Sequence, residues 1–309
     1  MTSLDKPIRN IALAGGGVLC TGHVGSIRKL RQLGLIKDVK KWAGSSGGSL
    51  VAAMYALGAT DEYIEEYMLS MDYSKLLDGG WLPLSREWRL YYHGGLYKGD
   101  VLLDNIRNGI SDITYSRLQK RMPNITFAEI RNLLAVDLFI TGTSLNYYKT
   151  VIFGPDTTPD MEVALAARVS SSYVGLFCMQ AFEHEGKTQN MVDGGALNNY
   201  PIDIFKDELD HTLGIKFISD FELHELEGHN EYIPINNAID GFWALLEAWQ
   251  HNSFKLHVSD NMWTRTITTN IGKYKSTNMN LTRGEKEDLI KRGEEGVTKF
   301  IEKNNVHFI

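Results

Sequence analysis

Twice within the first sixty residues, a short apolar run leads into a glycine-rich turn and then into a stretch with helical periodicity. The first run, residues 8–14, is typical of a buried strand and ends at Gly15-Gly16-Gly17. The second run, residues 39–43, is a weaker strand candidate and precedes Gly44-Ser45-Ser46-Gly47-Gly48. Strands that alternate with helices pair in parallel, so this order predicts an α/β fold with a largely parallel sheet.

The rest of the chain favours the same class. Apolar runs predict strands at residues 135–142, 150–153 and 211–218, and helical periodicity predicts helices at 162–168 and 239–249. No internal repeat, low-complexity tract or linker separates these segments. We therefore expect a single domain over residues 1–309, with a motif-bearing core at about 8–217 and a C-terminal strand and helices at about 218–309.

Composition excludes several functional classes. Of the 309 residues, 43% are hydrophobic, which is ordinary for a globular protein, and the net charge of −6 argues against nucleic acid as a partner. Two cysteines, Cys20 and Cys178, cannot form a disulfide framework. No apolar run is long enough to span a bilayer, and the first ten residues lack the apolar core of a signal peptide. These features predict a cytoplasmic protein and leave its oligomeric state open.

The first glycine turn matches two phosphate-binding motifs only in part. The dinucleotide fingerprint G-x-G-x-x-G fits Gly15 and Gly17 but meets Cys20 at its third glycine. The phosphate loop G-x-x-x-x-G-K-[ST] fits Gly17 and Gly22 but continues with His23 instead of lysine. Neither nucleotide-binding interpretation is favoured, and we expect no cofactor.

The second glycine turn satisfies the pattern G-x-S-x-G with Ser46 at its centre. In hydrolases with this pattern the serine lies on a sharp strand-to-helix turn, where its hydroxyl is exposed and very small neighbours let the turn close. The positive end of the following helix also favours the anion that forms during acyl transfer. The alternative is a serine that only caps the helix, because serine is a preferred N-cap residue.

A serine nucleophile needs a base, and the sequence offers two kinds of candidate. In α/β-hydrolases the histidine comes last, and six histidines lie late enough: His211, His224, His229, His251, His257 and His307. None of these histidines follows a turn or glycine signal, and no pair has the helical spacing of a zinc site. Asp193 instead ends an apolar run and precedes Gly194 and Gly195, a pattern that by itself is typical of a β-turn.

Taken together, the three glycine groups resemble the patatin-like phospholipases. The family's three motifs are matched by Gly-Gly-Gly at residues 15–17, G-x-S-x-G at 44–48 and Asp-Gly-Gly at 193–195. Three further segments look like parts of that family, namely residues 17–25, 95–100 and 166–177. The likeness extends from residue 8 to about residue 217, and residues 264–300 resemble the family's closing strand and helix more loosely.

The resemblance implies a fold, a site and an activity. The implied fold has three α/β/α layers around a mainly parallel sheet. The implied catalytic residues are Ser46 as the nucleophile and Asp193 as the proton acceptor, a dyad that works without histidine. The implied oxyanion hole consists of Gly15, Gly16, Gly17 and Val18, and the supporting motif glycines are Gly44, Gly48, Gly194 and Gly195. The implied activity is hydrolysis of acyl lipids by a serine esterase of phospholipase A type, acting on phospholipids first and glycerides second.

The chain departs from the family pattern at five positions. The oxyanion loop usually has glycine where Cys20 stands and often arginine or lysine where Leu19 stands. The other three departures lie in the later segment, at Val169, Ser172 and Val174. Cys20 is interpreted as a small buried residue, with a reactive thiol beside the site as the alternative. A non-catalytic lipid- or membrane-binding protein on the same scaffold stays open as the alternative function, and a Ser-His-Asp esterase is a third.

The expected partners are an acyl-lipid substrate and, transiently, a membrane or lipid-droplet surface. The aromatic residues at 81–92 and 239–249 are interpreted as core, with an interfacial patch at 81–92 and a membrane anchor at 239–249 as alternatives. The basic residues between 28 and 41 are interpreted as a solvated face, with attraction of anionic head groups as the alternative. No acidic loop has cation-ligand spacing, so we expect no metal.

Overall fold

The computed structural model describes residues 6–79, 84–184, 186–220, 222–223, 232, 234–237, 240–242, 244–246, 248–249 and 257–304. Its strands are β1 (Asn10–Leu13), β2 (Lys41–Gly44), β3 (Gly95–Tyr97), β4 (Asp137–Ser144), β5 (Lys149–Phe153), β6 (Gly175–Phe177), β7 (Gln180–His184), β8 (Lys187–Asp193), β9 (Thr212–Ile218) and β10 (Thr266–Asn270). Its α-helices are α1 (Thr21–Gln32), α2 (Gly47–Ala56), α3 (Asp61–Ser70), α4 (Leu84–His93), α5 (Asp100–Leu118), α6 (Phe127–Leu134), α7 (Val163–Ser170), α8 (Asp260–Trp263) and α9 (Arg283–Asn304). Segments of 3-10 helix lie at Gly17–Cys20, Tyr73–Leu76, Gly194–Ala196 and Pro201–His211.

The main sheet has the strand order β10-β9-β1-β2-β4-β8-β7, and β5 also pairs with β4. The five strands from β10 to β4 run parallel, whereas β5, β7 and β8 run antiparallel to the strands they pair with. Strands β3 and β6 form a separate parallel pair. The predicted α/β fold with a mainly parallel sheet is confirmed.

Side chains of the central strands alternate between two cores, one on each face of the sheet. In β1, Ile11 and Leu13 belong to the larger core, to which α1, α2 and α9 contribute. Ala12 belongs to a smaller core with Tyr200 and Phe205, near and within the 3-10 segment Pro201–His211. Because both faces of the sheet are covered, β1 and β2 are buried along almost their whole length and show no alternation of buried and exposed residues.

The strand directions bring three chain segments to one edge of the sheet. Strands β1 and β2 are parallel neighbours, so their carboxyl ends and the glycine turns that follow lie side by side. Strand β8 runs the opposite way, and its last residue, Asp193, pairs with Gly142 of β4. Gly142 lies two positions beyond Ile140, the β4 partner of Gly44. Asp193 therefore lies at the same edge as the first two turns.

The predicted strands at 135–142, 150–153 and 211–218 correspond to β4, β5 and β9, and the predicted helix at 162–168 corresponds to α7. The predicted helix at 239–249 lies partly outside the described residues. Within it, Phe242 and Trp249 are exposed, so the interpretation of these two side chains as core is wrong.

The aromatic residues of α4 are also exposed. Trp88, Tyr91 and Tyr92 have 59%, 82% and 59% of their surface accessible, so interpreting them as core is wrong. The earlier part of the same segment, residues 81–83, lies outside the described residues. Among the helices that the structure describes, none combines the length and the apolar character that crossing a membrane requires.

Candidate active site

Ser46 lies on the turn between β2 and α2, at the N-cap position of the helix. Its φ of 48° and ψ of −131° form a backbone conformation that residues other than glycine rarely adopt. A Cβ atom at Gly44 would lie 2.6 Å from the carbonyl oxygen of Gly48, and one at Gly48 would lie 2.4 Å from that of Ala14. The turn packs this tightly against β1 because neither position carries a side chain.

Asp193 accepts a hydrogen bond from the Ser46 hydroxyl, with 2.7 Å between Oγ and Oδ2. Its other carboxylate oxygen, Oδ1, accepts the N–H of Gly195 at 2.7 Å. The Asp193 side chain is buried, and burial raises the pKa of Asp193 from 3.8 to about 7, while the two hydrogen bonds act in the opposite direction. This carboxyl group therefore exchanges its proton near neutral pH.

Gly194 and Gly195 let the chain pass close to β4 and to the dyad. A Cβ atom at Gly194 would lie 2.3 Å from the Oγ1 of Thr141, and one at Gly195 would lie 2.6 Å from the Oδ1 of Asn199. Either contact is closer than real side chains allow, so larger residues there would displace Asp193.

The first glycine turn lies against the second. A Cβ atom at Gly15 would lie 2.9 Å from the Cβ of Ser46. The N–H of Gly15 donates to the carbonyl oxygen of Asn199 at 2.8 Å, and that of Val18 donates to the carbonyl oxygen of Ser276 at 3.1 Å. The N–H groups of Gly16 and Gly17, in contrast, donate to no other residue in the part of the chain that the structure describes. Of the four expected oxyanion donors, these two are available.

A cavity of about 970 Å³ is lined by Ser46, Asp193 and the first glycine turn. Its apolar lining comes from α2, α3, α5 and β6, and includes Leu50, Met54, Met68, Ile106, Ile110 and Phe177. Its charged lining includes Lys216, Asp220, Glu222, Lys273 and Lys275. Within the described ranges, no group of three histidine, cysteine, aspartate or glutamate side chains is arranged to hold a metal ion.

Leu19 and Cys20, which depart from the family pattern just after the first glycine turn, are both buried and both line the cavity. Burial raises the pKa of the Cys20 thiol to about 12. The thiolate is the reactive form of cysteine, so this environment favours a packing role over a reactive thiol.

Of the six late histidines, only His211 and His257 are among the described residues, and neither lines the cavity. The Nδ1 of His211 lies 2.8 Å from the carbonyl oxygen of Pro7, beside the amino end of β1 and at the opposite edge of the sheet from Ser46. The remaining four, His224, His229, His251 and His307, lie outside the described residues.

Two residues contact the site although no sequence pattern assigned them a role there. The N–H of Ser46 donates to the Oγ of Ser170 at 2.8 Å, across 124 positions of sequence. The Nε2 of His23 donates to the carbonyl oxygen of Ala14 at 2.8 Å, and burial lowers the pKa of His23 to about 4, so the ring is neutral. His23 and Ser170 lie in two segments that resemble the family, residues 17–25 and 166–177, but the sequence did not indicate which atoms they contact.

The chain is similar to several known proteins. The sequence model of the family described as Patatin-like phospholipase matches residues 11–206. The uncharacterized protein R571 of Acanthamoeba polyphaga mimivirus is 31% identical over 307 residues, which are 96% of this chain and 95% of that protein. The probable lipid hydrolase 463L of Invertebrate iridescent virus 6 is 24% identical over 205 residues, covering 64% of this chain and 63% of that protein.

The fold is shared with a solved structure at low sequence identity. VipD from Legionella pneumophila superposes with a TM-score of 0.64 at 15% identity, covering 96% of this chain and 67% of the VipD chain. The family match, in turn, spans well over half of the sequence and contains Ser46, Asp193 and all three glycine groups. The chain therefore belongs to the patatin-like phospholipase family.

Proposed function

We propose that this protein is a lipid acyl hydrolase that cleaves carboxylic ester bonds through a dyad of Ser46 and Asp193. One observation carries the proposal: the Ser46 hydroxyl donates to a buried carboxylate at 2.7 Å, on the wall of a cavity with an apolar lining. Membership of a phospholipase family and the similarity to a protein named as a probable lipid hydrolase support a lipid substrate.

The chemistry follows from the contacts of these two side chains. Asp193 accepts the Ser46 proton as Oγ attacks the ester carbonyl carbon, and then passes this proton to the leaving alcohol as the ester C–O bond breaks. Water then attacks the acyl-serine and gives a proton to Asp193; as the bond between the acyl carbon and Ser46 Oγ breaks, Asp193 passes this proton to Oγ and the fatty acid is released. The N–H groups of Gly16 and Gly17 stabilise the oxyanion of each tetrahedral intermediate. Within the described part of the chain neither group donates to another residue, so both can donate to the oxyanion.

The cavity lining indicates the kind of ester. An acyl chain fits the apolar surface that α2, α3 and α5 contribute, and the lysines and carboxylates elsewhere in the lining suit a polar head group. This combination favours phospholipids, cleaved in the phospholipase A manner, over glycerides. The reaction needs no cofactor or metal, because the nucleophile, the base and the oxyanion donors all belong to the chain.

We also propose that the protein acts in the cytoplasm and docks transiently on lipid surfaces through α4. Helix α4 leads directly into β3, and β3 pairs with β6, whose Leu176 and Phe177 line the cavity. The exposed Trp88, Tyr91 and Tyr92 of α4 are residue types that partition into membrane interfaces.

The dyad is tested by incubating the wild type and the variants Ser46→Ala and Asp193→Asn with a panel of lipids. The wild type should release free fatty acid from phospholipid, detected by mass spectrometry, and should react with a serine-directed fluorophosphonate. Each variant should lose at least about 10³-fold in kcat with its fold intact, because nucleophile and base act as a unit. Ser144→Ala, which removes a fully buried hydroxyl in β4, serves as the control and should retain activity.

The possible results separate the competing functions. If either dyad variant keeps wild-type turnover, the dyad is wrong. If the folded wild type neither releases fatty acid nor reacts with fluorophosphonate, a non-catalytic lipid-binding protein is the better interpretation.

A further inference from the structure

The backbone of Ser46 is strained and must be held in place by its surroundings. A positive φ of 48° with ψ of −131° is unfavourable at a residue other than glycine, and it persists only where neighbouring groups enforce it. The conformation matters because it directs Oγ toward Asp193. Whatever holds this backbone therefore acts on the geometry of the dyad.

The group that holds it is the hydroxyl of Ser170, the last residue of α7. Ser170 Oγ accepts the N–H of Ser46 at 2.8 Å. An N–H at a helix N-cap has no partner within the helix, and a buried N–H without any partner destabilises a fold. Ser170 is fully buried and does not line the cavity, so it does not contact a substrate there.

The same end of α7 also holds the base. The N–H of Asp193 donates to the carbonyl oxygen of Ser172 at 3.0 Å. The Oγ of Ser172 accepts from Nη1 of Arg168 at 2.7 Å, and the buried Arg168 guanidinium also donates from Nε to the carbonyl oxygen of Gly99 at 2.9 Å. The backbones of both dyad members are thus tied to one short stretch of chain, residues 168–172, which is anchored to the loop before α5.

From these contacts we infer that Ser170 is a positioning residue for the Ser46–Asp193 dyad. Its hydroxyl oxygen holds the strained Ser46 backbone, and through that backbone it sets the distance from Oγ to the base. The inference rests on the proposed function for its catalytic consequence. Its structural content, an acceptor at Ser170 for the Ser46 N–H, can be measured independently of any activity.

Two substitutions at this position separate hydrogen bonding from packing. Ser170→Ala removes the acceptor and leaves a small void, whereas Ser170→Cys fills the volume with a sulfur that accepts hydrogen bonds only weakly. Because misplacing a reacting group by about 1 Å costs on the order of 100-fold, both variants should lose about 10- to 100-fold in kcat with little change in KM. Ser144→Ala is the matched control, since its hydroxyl is equally buried and accepts or donates no hydrogen bond within the described residues.

A merely structural role predicts a different pattern. If Ser170 contributed only packing, Ser170→Cys would restore wild-type kcat, and a kcat within about twofold of wild type in either variant overturns the inference. Hydrogen exchange of the Ser46 amide gives the second readout: we expect at least about tenfold faster exchange in both variants and no change in Ser144→Ala. An unchanged exchange rate in Ser170→Ala also overturns the inference.

Failure of the proposed function can be distinguished from failure of the inference about Ser170. In that case the wild type itself shows no turnover that depends on Ser46, and the exchange rates of the Ser46 amide in the same set of variants still decide whether Ser170 holds the turn.

Discussion

The protonation of Asp193 links the structure of the site to its chemistry. Burial disfavours the charged carboxylate, and the hydrogen bonds from Ser46 and Gly195 offset this effect only in part, so its pKa is raised to about 7. A base with a pKa near neutrality combines enough basicity to take the serine proton with a substantial ionised fraction at pH 7. As the proposed base, Asp193 therefore provides a pKa in this range without a histidine.

This raised pKa predicts the pH dependence of hydrolysis. Asp193 must be ionised to accept a proton, so kcat/KM should increase about tenfold per pH unit below pH 7 and level off above it. The measurement is a pH–rate profile of the wild type between pH 5 and pH 9 on an ester whose own ionisation does not change in that range. A profile that stays flat down to pH 5 would show that Asp193 is not the titrating base.

The same titration affects stability, with a sign that can be worked out. Because the folded pKa lies above the unfolded value of 3.8, the native state binds more protons than the unfolded state between about pH 4 and pH 7. The contribution of Asp193 to the free energy of unfolding therefore falls as the pH rises through this window. Asp193→Asn should lack this loss, so urea denaturation at pH 5 and pH 8 should show a smaller decrease for the variant than for the wild type.

At the scale of elements, the helices α1 and α9 approach each other through glycines. A Cβ atom at Gly25 of α1 would lie 1.8 Å from the carbonyl oxygen of Ile290, and one at Gly293 of α9 would lie 2.0 Å from that of Gly22. Ser26 adds a hydrogen bond from its hydroxyl to the carbonyl oxygen of Gly293 at 3.0 Å. Since α1 follows the first glycine turn after the 3-10 segment Gly17–Cys20, α9 supports the helix that comes after the proposed oxyanion donors.

Gly25→Ala should therefore destabilise the protein even though alanine favours helix. The added methyl group meets backbone and not a movable side chain, so we expect a loss of about 1–3 kcal/mol in the free energy of unfolding. The matched control is Gly284→Ala in the first turn of α9, where a Cβ atom meets nothing within 4 Å and the change should be neutral or stabilising by up to about 1 kcal/mol. Equal effects of the two substitutions in urea denaturation would contradict this account of the helix contact.

The elements that sequence patterns predicted best are those with the simplest physical signals. Strand β1 and helix α1 were predicted because a continuous apolar run, a glycine turn and a regular apolar stripe follow one another. Helix α9 was predicted only through family resemblance, because glycines and the buried Lys286 interrupt its apolar face. The antiparallel direction of β8 has no local signal either, since an apolar run does not indicate which way a strand enters the sheet.

At the candidate site, too, some features have a local sequence signal and others depend on contacts between distant parts of the chain. Ser46 was a candidate nucleophile from its G-x-S-x-G pattern, whereas the role of Asp193 was implied only by the family resemblance. The structure places these two side chains in contact. The separation of the four oxyanion residues into two engaged and two available N–H groups depends on Asn199 and Ser276, which lie far away in sequence. The role inferred for Ser170 likewise depends on a contact between α7 and the turn before α2.

For the molecule as a whole, charge does not identify the surface that meets lipid. The basic residues of the early helix and its exit are largely paired: Arg28 with Glu65 and Glu294, Arg31 with Asp61, Lys40 with Asp38, and Lys41 with Glu208. This pairing favours the interpretation as a solvated face over attraction of anionic head groups. The exposed aromatic face of α4 is the stronger candidate, because α4 adjoins β3, whose partner strand β6 lines the cavity.

Docking through α4 predicts a selective loss of activity at interfaces. In a Trp88→Ala/Tyr91→Ala variant, hydrolysis of phospholipid vesicles should fall about tenfold or more, because each interfacial aromatic side chain contributes apolar area to binding. Hydrolysis of a short, water-soluble ester should stay at the wild-type rate, since neither side chain lines the cavity. The control Leu133→Ala removes an exposed apolar side chain at the end of α6, which leads into the amino end of β4, and should change neither rate. If the double variant lost both activities equally, α4 would act on the fold or on catalysis and not on docking; if it lost neither, the lipid surface would have to meet another part of the molecule.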